Sequence, residues 1–331
     1  MARDSVKHNN RSCSEPVKGS FIIASIDIGS HTARLLISRS VSFPGLFQPI
    51  ARKRDYINLG DGLKEYADRE ISPDAVKQTL AVLTDFASVI KEYGTEVVRA
   101  VSTGVMRKVC NRADFLKLIH DRTGIDIKVI SGREEALLTQ KGVLHSLNYN
   151  GPFVIFDLGG GTTEFISSQD LNIGAESIPL GALVLTQRFF DSDPPDKKQI
   201  KSLSGHIDRL LTKTFLQIPF KGDEFLMIGA GGTVTTLAAM VNRIRARDIT
   251  PEKLNGLVIK KTQIEDLFKY MRDLPFKERL KLPGLDSGRA GVILAGALAI
   301  IRILRFFHSS EIKISFSDIL EGVQIAYLQG E

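Results

Sequence analysis

Tryptophan is absent from this chain and cysteine nearly so: Cys13 and Cys110 are the only two in 331 residues. Neither falls in a CxxC or Cys/His spacing, which leaves no support for a disulfide framework or a zinc site. A reducing cytoplasm is the expected compartment. Long apolar runs are missing too. The longest, from Ala290 to Ile301, is closed by Arg302; it falls short of the ~18–20 residues that span a bilayer, and predicts a buried helix and no membrane partner. Met1 to about Gly19, with Lys7, His8, Asn9, Asn10 and Arg11, is polar and aperiodic, has no apolar stretch of signal-peptide length, and is expected to be a flexible tail. Gly-Lys-Ser/Thr and a GxGxxG opening a helix are both lacking, which disfavours a P-loop and a Rossmann site. Helix-turn-helix, zinc-finger and aromatic-basic RNA signatures are likewise missing, so no specific nucleic-acid partner is expected.

What is present is a globular composition. Hydrophobic residues make up 43%, enough for a core on each side of a boundary in a chain longer than the ~100–200 residues of one domain. Charged residues of both signs are interspersed without low-complexity runs, so extended disorder is not expected beyond the tail. The net charge of +6 suits an anionic ligand without choosing one.

Phe21 to Ile28, a Gly-Ser turn and Ala33 to Ser38 predict an opening hairpin. Val76, Leu80, Leu83, Ala87 and Ile90 fall at helical spacing within Pro73 to Glu92, and Val97 to Val101 then reads as strand. A strand from Asp126 to Ile130 leads into a helix with Ser131 as N-cap and Glu134 at the capping-box position. The second half restarts in the same form: strand Phe153 to Phe156, glycine turn Asp157 to Gly161, returning strand Thr163 to Ser167. Later come a strand from Phe225 to Ile228, a helix after Gly232, a helix from Ser287 to about Phe306, a strand from Ile312 to Ser315 and a last helix. Alternating strands and helices predict an α/β fold. The boundary is placed near Gly132. This gives a tail at 1–19, a first lobe at 20–131, onto which a C-terminal helix at about 316–331 is free to pack back, and a second lobe at 132–315.

Asp27-Ile28-Gly29-Ser30 and Asp157-Leu158-Gly159-Gly160-Gly161-Thr162 each place a carboxylate at a strand end before a glycine turn. Successive backbone N–H groups of such a turn can wrap phosphate oxygens, and the carboxylate can hold Mg²⁺ through oxygen or water. A single Asp-x-Gly more often only closes a turn on its own backbone. Two copies, one running on to Thr163 and Glu164, favour phosphate. Gly231, Gly232 and Thr233 offer a further turn before a helix, where an anion and close backbone packing are equal alternatives.

These two segments, together with Ser131-Gly132-Arg133-Glu134-Glu135-Ala136 and Gly229-Ala230-Gly231-Gly232-Thr233, occur in one order. In that order the chain resembles the Ppx/GppA family of exopolyphosphatases and guanosine-pentaphosphate phosphohydrolases, from about Ile22 to Gly322. The resemblance implies two RNase H-like lobes, of the superfamily shared by actin, sugar kinases and chaperone ATPases, with the active site in the cleft between them. It implies that Glu135 activates water for attack on a terminal phosphorus. The capping argument agrees, because Glu134 at N3 leaves its neighbour free to face elsewhere; on position alone, Glu135 would read as an ordinary helix-dipole carboxylate. Asp157 and Glu164 resemble the family's metal-linked carboxylates, with Asp27 facing them, for Mg²⁺ or alternatively Mn²⁺. The implied phosphate-binding residues are Gly29, Ser30, His31, Thr32, Gly159, Gly160, Gly161, Thr162, Gly231, Gly232 and Thr233. Ser102 to Asn111 resembles a family segment that keeps Thr, Arg and Asn at Thr103, Arg107 and Asn111, and Arg107 is the expected bidentate phosphate clamp. Two features depart from the pattern: His31-Thr32 stands where Asn-Ser is common, and the helical module that longer members carry after the two lobes does not follow.

The expected activity is therefore stepwise hydrolysis of inorganic polyphosphate from its end, with the 5′-phosphate of guanosine pentaphosphate as runner-up. An ATP-dependent kinase would need an adenosine pocket and a hydroxyl acceptor. A non-catalytic phosphate or nucleotide sensor is opposed by the retained Glu135, Asp157 and Glu164. Arg243, Arg245, Arg247, Lys260 and Lys261 could extend a track for a polyanion, although each is by default a solvated charge. A homodimer is an option that no motif decides.

Overall fold

Two chain reversals set the architecture of the first lobe. β1 (Ile22–Ile28) turns at Gly29 into β2 (Thr32–Ser42), which pairs in turn with β3 (Leu46–Tyr56), all antiparallel. The structure is a computed structural model that describes residues 20–42, 46–60, 70–169, 172–215 and 225–330; the expected tail at 1–19 lies outside the described residues. The free edge of β1 pairs in parallel with β4 (Val97–Ser102), and β4 with β5 (Ile127–Val129), giving the order β3-β2-β1-β4-β5. The opening hairpin is thus a three-stranded meander. Its third strand, with Pro49 and the run Arg52-Lys53-Arg54, lies at a polar sheet edge and has no apolar alternation to betray it.

α1 (Pro73–Glu92) begins where Ser72 Oγ accepts from Ala75 N at 3.2 Å and Pro73 fills the first position, whose N–H has no partner in any helix. Leu83, Phe86 and Ile90 form its buried stripe. α2 (Arg112–Thr123) stops at Gly124, which takes the left-handed conformation.

The second sheet repeats the first. β6 (Phe153–Leu158) pairs antiparallel with β7 (Thr163–Gln169), which pairs with β8 (Asn172–Ile178). On its other side β6 runs parallel to β9 (Leu226–Ala230), and β9 to β11 (Glu311–Ile314); β10 (Val258–Lys260) adds an antiparallel edge. Read from β8, the order β8-β7-β6-β9-β11 is that of the first lobe, so the molecule consists of two RNase H-like lobes. All six residues of β6 are buried, as a central strand covered on both faces requires, and the apolar run breaks only at Asp157.

α4 (Ala182–Phe189), α5 (Lys197–Thr214), α6 (Gly232–Val241) and α8 (Lys261–Arg272) pack around α10 (Ile293–Phe306). α10 is covered on nearly every side, which explains a helix almost wholly apolar. It starts later than the sequence suggests. Asp286 accepts from Gly288 N at 3.0 Å and closes a separate short turn over Ser287–Arg289, so the long helix begins at Ile293. No described helix is long and apolar enough to cross a membrane.

α3 (Gly132–Leu147) lies on β7 and β8 of the second lobe, while α11 (Ile319–Leu328) lies on β1 and β2 of the first. The two helices cross backbone to backbone: a Cβ on Gly142 would stand 2.0 Å from the Asp318 carbonyl oxygen, and one on Gly322 1.8 Å from that of Leu138. This crossing ties the lobes together and brings two helix N-termini, carrying Glu135 and Asp318, towards the space between the sheets.

Candidate active site

Asp27, at the end of β1, is the cross-strand neighbour of Arg34 on β2. Gly29 N donates to Thr32 O at 3.0 Å and closes the turn. Arg34 donates to Asp27 Oδ2 from Nε at 3.0 Å and from Nη2 at 2.6 Å, and its Nη1 is held by Asp318 Oδ2. In the second lobe Gly159 N donates to Thr162 O, again at 3.0 Å, and Asp157 is the cross-strand neighbour of Glu164. Ser177 Oγ donates to Glu164 Oε1 at 2.9 Å.

The two turns meet across the cleft. A Cβ on Gly160 would lie 3.0 Å from His31 Cβ, and one on Gly161 2.8 Å from Ser30 Oγ, so the chain needs its smallest residue there. Gly231, at φ +89°, brings the third turn so close that a Cβ would stand 2.3 Å from Asp157 Oδ1.

Every expected site residue lines this one cleft except Arg107. Glu135 projects into it from the first turn of α3, because Ser131 and Glu134 form the reciprocal capping box and Glu134 is spent on the Ser131 N–H at 2.8 Å. Arg107 is committed to Glu135: its Nη1 donates to Glu135 Oε2 at 2.6 Å. Asn111, from the same family-like segment, instead ties the chain at Ile71 by bonds to its N–H and C=O at 3.0 and 3.1 Å.

Burial dominates the electrostatics. It pushes Glu135 up to about 7, against the hydrogen bond and charge of Arg107. It raises Asp157, helped by the charges of Asp318, Glu135 and Asp27 and opposed by Arg34; it raises Glu164, helped by Glu135 and Asp157. Asp27 is raised by burial too, with Arg34 working against the shift. Converging buried acids of this kind call for positive charge.

A hard divalent cation suits an all-oxygen donor set. Among the described residues no three acidic, histidine or cysteine side chains stand close enough to hold one ion between them. The oxygen donors present, Asp157 and Glu164 with Asp27 opposite, are of the kind that Mg²⁺ takes when it uses one or two carboxylates and fills its shell with water and substrate phosphate.

Three charged residues were not singled out from the sequence: Arg34 and Arg289, which line the cleft, and Asp318, which stands behind Arg34. Arg34 and Asp318 lock Asp27, and Arg289 is buried with its Nε lacking a partner among the described residues. Burial and the neighbouring charges of Arg54 and Arg34 pull Arg289 down to about 10. The spacing from Asp157 to Glu164, applied to Asp27, points at Arg34 and was the available signal. Arg289, alone before an apolar run, left none.

The profile of the Ppx/GppA phosphatase family matches residues 36–330. The chain belongs to that family. This Ppx/GppA phosphatase is 28% identical over 316 residues to exopolyphosphatase 2 of Mycobacterium tuberculosis, covering 92% of the chain and 98% of the relative. Among solved structures, the family member from Aquifex aeolicus has 29% identity and a TM-score of 0.78, over 94% of this chain and 98% of the other. An exopolyphosphatase from Cytophaga hutchinsonii has 25% identity and a TM-score of 0.83, over 93% and 98%. Both confirm the pair of actin-like lobes, and family membership makes the chain a phosphohydrolase.

Proposed function

We propose that this Ppx/GppA phosphatase removes the terminal phosphate of inorganic polyphosphate, with Glu135 as the general base. The observation that carries the reading is the position of Glu135: a carboxylate only 12% exposed, pushed up to about 7, facing the same cleft as three glycine turns and the Asp157–Glu164 pair. A base with a pKa near the working pH is the effective one. Relatives named exopolyphosphatase support the polymer over the nucleotide.

In this reading the last phosphate lies against the N–H groups of the turns after Gly29, Gly159 and Gly231, and the guanidinium of Arg289 takes up part of its charge. Glu135 accepts a proton from water as the water oxygen bonds to the terminal phosphorus. The bond from that phosphorus to its bridging oxygen breaks, and the electron pair leaves with the shortened chain. Asp157 and Glu164, with Asp27 opposite, would hold Mg²⁺ or Mn²⁺, which when bound supplies neutralisation of phosphate charge. Arg107 keeps Glu135 in place and favours its ionised form.

The test is phosphate release from long-chain polyphosphate and, in parallel, from guanosine pentaphosphate with Mg²⁺, in the native protein and in Glu135→Gln. The variant is expected to lose about 10²–10⁴-fold in kcat while staying folded. Undiminished release in the variant would sink the role of Glu135, and a preference for the nucleotide would move the substrate reading.

A further inference from the structure

His31 and Tyr56 join the lobes on one flank of the cleft. Both belong to the first lobe. The His31 ring lies edge-on to Tyr56 with centroids 5.1 Å apart, and its Nε2 is 3.4 Å from the Gly288 carbonyl oxygen of the second lobe. The Tyr56 hydroxyl donates to Asp286 Oδ1 at 2.5 Å, and Arg54, two residues back on β3, pairs with Asp286 Oδ2. The Tyr56 ring also fills the space a side chain at position 288 would need, since a Cβ there would lie 2.1 Å from its Cζ. Burial works to raise the Asp286 carboxyl, yet the bonds and charges of Tyr56, Arg54, Arg289 and Gly288 N hold it below the ordinary carboxylate value. The turn over Ser287–Arg289 is thus gripped by the first lobe from two sides.

The residue that this turn delivers is Arg289. Its guanidinium is pressed against the third glycine turn, where it occupies the space beside Gly232, and its Nε is buried without an acceptor among the described residues. An unmet buried guanidinium N–H costs free energy until an anion supplies the acceptor. Arg289 belongs to the second lobe, and its turn is held both by its own bonds from Gly288 N and Arg289 N to Asp286 and, from outside, by Tyr56 and Arg54 of the first lobe. Any separation of the lobes must break the Tyr56 and Arg54 contacts with Asp286 before Arg289 can move away. A phosphate end that bridged both glycine hairpins would favour the arrangement in which these contacts are made.

We propose that Tyr56 and His31 are positioning residues that hold the Asp286–Arg289 turn across the lobe boundary, so that Arg289 is set against the phosphate chain only in the closed molecule. Closure then assembles the charge clamp as it excludes water, coupling recognition of the substrate end to the catalytic geometry. The imidazole of His31 reaches Tyr56 and the Gly288 carbonyl as a bridge between lobes. The substrate side of the proposal rests on the functional reading above; the mechanical side does not.

Two measurements test it. The first is a double-mutant cycle of Tyr56→Phe and Arg289→Gln, read as kcat/KM for polyphosphate. Tyr56→Phe is expected to lose about tenfold with Arg289 present and less than about twofold without it, the coupling of groups that act through one another. Losses that simply multiply would overturn the proposal. The second needs no substrate: the rate at which phenylglyoxal modifies Arg289, followed by peptide mass spectrometry. Tyr56→Phe and His31→Asn are each expected to speed it several-fold with the thermal midpoint unchanged, and an unaltered rate overturns the latch. Should the native protein release no phosphate from polyphosphate, the functional reading fails, and the modification rate still decides the latch.

Discussion

The hairpin that leaves β1 and the one that leaves β6 share a backbone and differ in charge. Asp27, Gly29, Thr32 and Arg34 recur as Asp157, Gly159, Thr162 and Glu164 at the same spacing. Each turn is closed by the same glycine-to-threonine bond at 3.0 Å, and each aspartate faces the last residue of its set across the strands. In the first hairpin that residue is a cation, and the pair is neutralised internally, with Asp318 held in the same guanidinium fork. In the second it is another acid, and burial with like charges raises both carboxyls. Like charges directly opposed on neighbouring strands destabilise a sheet. The difference teaches that the glycine turn is the common scaffold, while the cross-strand partner decides whether the aspartate is paired with a cation inside its own hairpin or left opposite a second acid.

The largest effect should come from opening the closed hairpin. Arg34→Met leaves Asp27 and Asp318 buried without their counter-ion, and is expected to cost about 3–5 kcal/mol of unfolding free energy in urea denaturation. A loss well under 1 kcal/mol would show that the first hairpin is not held by charge. The converse change closes the open one. Glu164→Gln keeps an acceptor for Ser177 Oγ and removes the opposed charge, so the protein in chelator should be at least as stable as the native one. Its Mg²⁺-dependent phosphate release should fall by about 10²–10³-fold, the size of losing one charge-stabilising group at a reacting centre. Lower stability with unchanged turnover would reverse the assignment of roles.

This asymmetry also marks what could be read in the sequence. The two Asp-x-Gly turns stood out because they combine apolar strands with glycine, and the capping box at Ser131 and Glu134 correctly freed Glu135 to face the cleft. The partners of those residues were harder to see. Arg34 looks like any strand arginine until the second hairpin is laid over the first. Asp318 looks like an ordinary N-cap, which it also is, accepting from Leu320 N at 3.2 Å. β3 and β10 sit at sheet edges and are partly polar, so they lack the near-continuous apolar run that marks a central strand such as β6. The contact that sets the lobes against one another, Gly142 on Gly322, links positions far apart in the chain, and a local pattern holds no trace of it.

A smaller effect is expected where the hairpins touch. Gly160→Ala would force its new methyl to within 3.0 Å of His31 Cβ, and the turns must part to admit it. Overpacking of this kind costs about 1–3 kcal/mol. If the turns close on one phosphate chain, part of that cost appears as a KM for polyphosphate raised by about fivefold or more, with kcat less affected. An unchanged KM accompanied by lower stability would mean that the hairpins pack together without sharing the ligand.

The smallest change sharpens the comparison from between its two terms, because Glu135 has one arginine where Asp27 is locked and Asp157 faces an acid. Its carboxyl stands near 7 through burial, and Arg107 at 2.6 Å is what keeps it from rising further. As a general base Glu135 works when ionised, so the rate should climb as pH rises through that value. Arg107 favours the ionised form; Arg107→Gln removes that help and should raise the pKa by about one unit or more. The acidic limb of the kcat/KM profile would then move to higher pH by the same amount, with activity recovered on the alkaline side. This must be followed at one saturating Mg²⁺ concentration in both proteins. A limb that stays in place while KM for polyphosphate climbs would give the opposite answer: Arg107 would then grip the phosphate itself, as the sequence first suggested, and the bond to Glu135 would be where it rests between substrates.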